Sequence, residues 1–185
     1  MLYRNLIRCV IAASIVIGPS GAGAESAIMI AAASAVVEPT GPMAQVLAER
    51  LQPGREDDAA IARFYAARDN RLFWTGDRSA TLARALRAAP AHALPTPDPE
   101  IVASAERGGD DPAVDLALTR TFLEYGRQMT SGILDPRTVA PMIKRAPPSW
   151  PASALLEGLL GVPDITAHFE GLVPRDPDYR RLQAA

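Results

Sequence analysis

The sequence predicts an all-α fold: one compact domain of several helices with proline-broken connections, following a cleaved signal peptide. Three observations predict it. Beyond residue 24 the chain is rich in Ala, Leu, Arg and Pro, while Val and Ile are sparse. No stretch alternates apolar and polar residues for long, as a half-buried strand does. Apolar residues instead recur at three- and four-residue spacing between prolines, the pattern of short amphipathic helices with fixed breaks.

The N-terminus has the order of a secretory signal. Residues 1–8 carry Arg4 and Arg8 and no acid, and residues 9–17 are apolar. Gly18 and Pro19 break the run, and Ala22-Gly23-Ala24 has the small-x-small form a signal peptidase accepts. The apolar run is far shorter than the roughly 20 residues of a spanning helix. Cleavage is expected after Ala24, giving a periplasmic chain with no transmembrane span; the alternatives are a later cut near Ala35 or an uncleaved anchor. A second apolar stretch, 27–37, is set apart from the first by Glu25. Cys9 precedes the apolar core, the wrong place for a lipoprotein acceptor, and it is the only cysteine. Cleavage removes it, so the mature chain is expected to hold no disulfide, no thiolate ligand and no cysteine nucleophile.

Each helix follows from local signals. Residues 42–51 form the first, with Met43, Val46, Leu47 and Leu51 near helical spacing; with the stretch ahead of it, this makes an N-terminal extension over 25–55. The helical domain proper covers 56–185. Asp57 or Asp58 is expected to cap a second helix to about Arg68, with Ile61, Phe64 and Tyr65 inward. Residues 71–74 are a short extended piece or the wall of a turn. Ser79 is expected to cap a third helix to Ala89, burying Leu82, Ala85, Leu86 and Ala89. Asp98-Pro99-Glu100 opens a short helix to Glu106. The longest helix runs over 112–130, where Val114, Leu118, Phe122, Tyr125 and Met129 mark one face, and Gly132 stops it. A proline-broken connector spans 135–151. Ser153 is expected to cap 155–160 and Asp164 to cap 165–172, and a last helix begins near Pro177.

The formal net charge is −2, and it becomes −4 once Arg4 and Arg8 are lost. A weak, dispersed negative charge argues against a nucleic-acid partner, which needs a basic stripe for the phosphates. No Gly-rich phosphate loop, paired-histidine zinc spacing or nucleophile elbow occurs, and no cofactor is implied. His92 and His168 show no partner arrangement for a Ser/His/Asp site. Glu124 and Glu157 could in principle serve a carboxylate-pair glycan hydrolase, but both lie among ordinary surface charges. Trp74 and Trp150 are candidate platforms for sugar rings, or packing residues of the core. Arg63, Arg68 and Arg71 make a cationic cluster near Trp74 that suits a carboxylate-bearing ligand. The same cluster could be a helix face balanced by Asp57, Asp58 and Asp69.

Four segments in this order resemble the scaffold domain of large L,D-transpeptidases. Phe64-Tyr65-Ala66-Ala67-Arg68 followed by Leu72-Phe73-Trp74 resembles the opening signature of that domain. Residues 82–95 (LARALRAAPAHALP) resemble its helix followed by His-Gly-Leu-Pro, with Ala93 in the place of the usual glycine. Residues 115–136 (DLALTRTFLEYGRQMTSGILDP) match best, and 169–182 (FEGLVPRDPDYRRL) resemble the closing element. The resemblance spans roughly 58–185.

The resemblance implies a helical module that precedes a β-rich catalytic domain. That domain carries a histidine and a Ser-His-Gly-Cys motif, whose thiolate takes an acyl group from a peptidoglycan stem and passes it to an acceptor amine. These 185 residues contain no such motif, so no catalytic residue is carried over. The expectation is a non-catalytic module that positions substrate in cell-wall cross-linking, with an L,D-transpeptidase catalytic domain and peptidoglycan as partners. The alternatives are a truncated relic without its own function, or an unrelated periplasmic glycan-acting enzyme.

Overall fold

The computed structural model describes residues 41–140, 142, 144, 148, 150–174 and 176–184. The signal peptide and the apolar stretch 27–37 lie outside the described residues. All regular structure among those residues is helical, as the composition predicts, and they fall in one compact unit, Glu38–Ala185. No described helix is long and apolar enough to cross a membrane.

The elements are α1 (Pro42–Arg50), α2 (Glu56–Ala66), α3 (Asp77–Arg87), a 3-10 turn (Ala89–His92), α4 (Pro99–Arg107), α5 (Pro112–Ser131), α6 (Pro136–Val139), α7 (Ala152–Gly158), α8 (Ile165–Leu172) and α9 (Pro177–Gln183). Proline stands in the first turn of α1, α4, α5, α6 and α9, where its missing N–H costs nothing. Asp98, Asp111, Asp135, Asp164 and Asp176 each accept the backbone N–H two residues on, closing the helix start.

Three capping expectations are corrected. Helix α2 starts at Glu56, so Asp57 and Asp58 sit in its first turn rather than at its cap. There they reach α5: Asp57 accepts from Arg127 and Asp58 from Arg120. Ser79 lies inside α3, fully buried, with its hydroxyl donating to the Ala105 carbonyl of α4. Helix α7 starts at Ala152 behind Pro151, so Ser153 is within it. In each case the polar side chain found a tertiary partner or a neighbouring proline set the start. The connector also holds one short helix, α6, that the sequence reading missed.

Helix α5 is the axis of the packing. It contacts α1, α4, α7 and α8, while α2 packs on α7, and α3 on α4 and α8. Its predicted apolar face is buried at Leu118, Phe122, Tyr125 and Met129. Gly126 lies on the buried side. A Cβ there would stand 3.4 Å from both methyls of Leu155 and 3.7 Å from the Phe169 ring, so the bare backbone lets α7 and α8 approach.

A run of aromatic contacts ties the elements together. Phe64 meets Phe73, Phe73 meets Trp74, Trp74 meets Phe122, Phe122 meets Phe169, and Phe169 meets Tyr125, with ring centroids 4.6 to 5.8 Å apart. Such pairs add about 0.5–1.5 kcal/mol each beyond the area they bury. Beneath them lies a polar knot. Asp115, 2 % exposed, accepts the backbone N–H of Phe73 at 3.0 Å, that of Trp74 at 2.7 Å and the Tyr65 hydroxyl at 2.5 Å. Thr119 accepts the Trp74 indole N–H at 2.8 Å and lies 2.6 Å from the Tyr65 hydroxyl. Residues 71–74, with no regular structure, are therefore fixed by a carboxylate from α5 in place of a ladder.

Candidate functional site

The structure separates the residues that sequence reasoning grouped. Trp74 is 1 % exposed, with its indole N–H bonded to Thr119. It has no open face, and the expectation that it stacks on a sugar is corrected: its ring belongs to the core. Trp150 is 42 % exposed and keeps a face available. Arg63 and Arg71 are exposed, while Arg68 is half-buried with its guanidinium 4.8 Å from the Phe73 ring centre and 5.8 Å from that of Phe64. The aromatic rings under Arg68 are thus Phe64 and Phe73. Asp57 and Asp58 do not balance these arginines, since both carboxylates are committed to α5.

Three concavities lie along α5. A cavity of about 340 Å³ is bounded by Leu86, Pro95, Ile101, Tyr125, Glu124 and Gln128. A second, of about 540 Å³, is bounded by Glu124, Arg127, Gln128, Ser131, Ile133 and Pro148. A third, of about 350 Å³, lies between His92, Leu94, Gln128, Ser131, Ile133 and Tyr179. Gln128 lines all three. Helical spacing explains this: Glu124, Gln128 and Ser131 stand at i, i+4 and i+7, on the face away from Leu118 and Phe122.

The chemistry of this face is neutral to weakly acidic and rich in hydroxyls. Tyr125 contributes its ring, and burial, then the neighbouring Tyr179, push its phenol up to about 12. The Tyr179 hydroxyl lies 3.1 Å from His92 Nδ1 and holds α9 against the 3-10 turn. Ile133, which lines two of these cavities, is 52 % exposed.

Sequence reading took Glu124 as a solvated charge and gave Gln128 no role. No local signal distinguishes either, because the cavities are walled by segments distant in sequence on both sides, such as Pro95 and Tyr179. Arg78 was also passed over. The buried Asp115 did carry a signal, since Asp115 and Thr119 fall at i and i+4 beside the apolar stripe of α5.

This arrangement defines a helical framework domain: its buried polar groups hold loops in place, and its concave surface lies on a rigid helix. Over residues 59–185 the sequence matches the family model described as Scaffold domain, and the chain belongs to that family. The match is consistent with the scaffold domain of L,D-transpeptidases. No curated protein and no solved structure matches the chain.

Proposed function

We propose that this protein is a non-catalytic scaffold that positions peptidoglycan for an L,D-transpeptidase catalytic domain, with the outer face of α5 as the surface that receives the polymer. The family match over 59–185 carries the reading. The three cavities that share Gln128 support the choice of surface. Aligning two polymeric substrates is a large part of the barrier to cross-linking, so a rigid framework contributes to rate without touching the reacting atoms. The thiolate that forms the acyl-enzyme belongs to a Ser-His-Gly-Cys domain outside this sequence, and the site of action is the periplasm, reached through the signal at 1–24.

Mass spectrometry tests the non-catalytic part. The chain beginning at Glu25 is incubated with a carbapenem and, separately, with stem peptides. It is expected to gain no covalent mass and to release no product. A stoichiometric adduct, or turnover that survives purification, would falsify the reading.

A further inference from the structure

We propose that Arg68 and Arg78 form a paired-guanidinium site for a peptide carboxylate. The proposal does not depend on the scaffold reading; it rests on the geometry of the turn between α2 and α3. The two guanidinium carbons lie 4.8 and 4.2 Å from the centre of the same ring, Phe73. That ring is 1 % exposed and its backbone N–H is bonded to Asp115, so the platform is fixed. Both arginines are half-buried. Their charges act on each other: burial, then the charge of Arg68, holds Arg78 below its usual range.

Partly buried charges are ordinarily paired. Arg127, half-buried like them, follows this rule and meets Asp57. Among the described residues, Arg68 and Arg78 meet none. Both Nε–H groups are covered and unpartnered, and Arg78 Nη1 reaches only the Phe73 carbonyl, at 3.4 Å. Asp69 and Asp77, the sequence neighbours, are exposed and pair with neither. Two like charges are thus held against one aromatic ring with no counter-charge among the described residues. A guanidinium stacked on a ring has its plane set in advance, so less freedom is lost when a planar anion meets its edge. A carboxylate monoanion costs less to dehydrate than a phosphate dianion, which favours it at a half-buried site. The carboxylate can come from a peptide C-terminus or from an acidic side chain.

Arginine side-chain NMR of the full chain beginning at Glu25 tests this. N-acetylglycine presents a terminal carboxylate, N-acetylisoglutamine a side-chain carboxylate, and N-acetylglycinamide and inorganic phosphate serve as comparisons at matched ionic strength. Saturable shifts of the Arg68 and Arg78 signals with either carboxylate are expected, and the arm that saturates first identifies the source. Arg68→Lys and Arg78→Lys keep the charge and lose the planar fork. Each is expected to weaken binding by roughly fivefold or more while the thermal midpoint stays within a few degrees. The proposal is overturned by absence of saturation, by phosphate binding as tightly as the carboxylates, or by lysine variants that bind like the parent.

Discussion

The Tyr65 hydroxyl lies 2.5 Å from Asp115 Oδ2, across 50 residues of sequence and at the centre of the core. The bond joins two of the segments that carry the family resemblance, Phe-Tyr in α2 and Asp-Leu-x-Leu-Thr in α5. A third, Phe73-Trp74, is held by the same carboxylate. Asp115→Ala strands two buried backbone N–H groups and leaves the Tyr65 phenol only Thr119 and a backbone carbonyl, and is expected to cost roughly 3–5 kcal/mol. Tyr65→Phe leaves the carboxylate its two backbone donors and is expected to cost about 1–3 kcal/mol. Urea denaturation of both variants checks the order. Equal, small losses would mean that the knot contributes little.

Ala93 is in the left-handed region, at φ 55° and ψ 29°, where it ends the 3-10 turn. It occupies the position that resembles the glycine of His-Gly-Leu-Pro, and the backbone angle explains why glycine suits it. A Cβ at this φ costs about 1–2 kcal/mol, part of which is regained because alanine restricts the unfolded chain. Ala93→Gly is therefore expected to stabilise the domain by about 0.5–1 kcal/mol, seen as a higher urea midpoint with unchanged slope. A lower midpoint would contradict the strain.

Two acids side by side in α2 are expected to differ in weight. Asp57 pairs with Arg127, and both side chains are about one-third exposed. The hydrogen bond from Arg127 holds the Asp57 carboxyl below its usual value. Its stabilisation is present above pH 3.8 and is lost as pH falls through the lower, folded value. Asp57→Ala is expected to cost no more than about 1 kcal/mol at neutral pH. Asp58 is 5 % exposed, accepts the Gln52 N–H at 2.8 Å and pairs with Arg120. Asp58→Ala is expected to cost about 1–3 kcal/mol, because the Gln52 N–H loses its partner. Thermal denaturation at pH 7 gives the ranking, and a larger effect at Asp57 would overturn it.

His168 sets the expected response to mild acid. Its ring lies 5.9 Å from that of Phe122, its Nε2 is buried without a partner, and burial holds its pKa below 6.5. The unfolded chain then binds the proton more readily than the fold. Stability is full above pH 6.5 and falls as pH drops below it, levelling off beneath the folded value. His168→Leu is expected to flatten this part of the stability curve. An unchanged slope between pH 7 and 5 would place the titrating group elsewhere.

Helices and their apolar faces were legible because spacing and proline placement are local. The face of α5 from Leu118 to Met129 could be read directly, and so could the aspartate at the start of α4 and of α8. What could not be read is the use a polar side chain finds across the fold. Ser79, Asp57 and Asp58 looked like caps and proved to be tertiary partners. Trp74 and Arg68 looked like neighbours in one cluster. Two residues apart or six, side chains leave the backbone in different directions, and Trp74 turned inward to Thr119 while Arg68 stayed over Phe73. The cavities along α5 were illegible for the same reason, since Pro95, Ile101 and Tyr179 reach Gln128 only through the packing.

The central claim is that a rigid helical framework presents the outer face of α5 to the cell-wall polymer. Co-sedimentation of the chain beginning at Glu25 with isolated sacculi tests it most directly, against Gln128→Trp, which places a large ring where the three cavities meet. The account predicts that the parent chain pellets with sacculi and that Gln128→Trp stays in solution with its helical circular dichroism intact. A parent chain that does not pellet, or a folded Gln128→Trp that pellets as well as the parent, would contradict it.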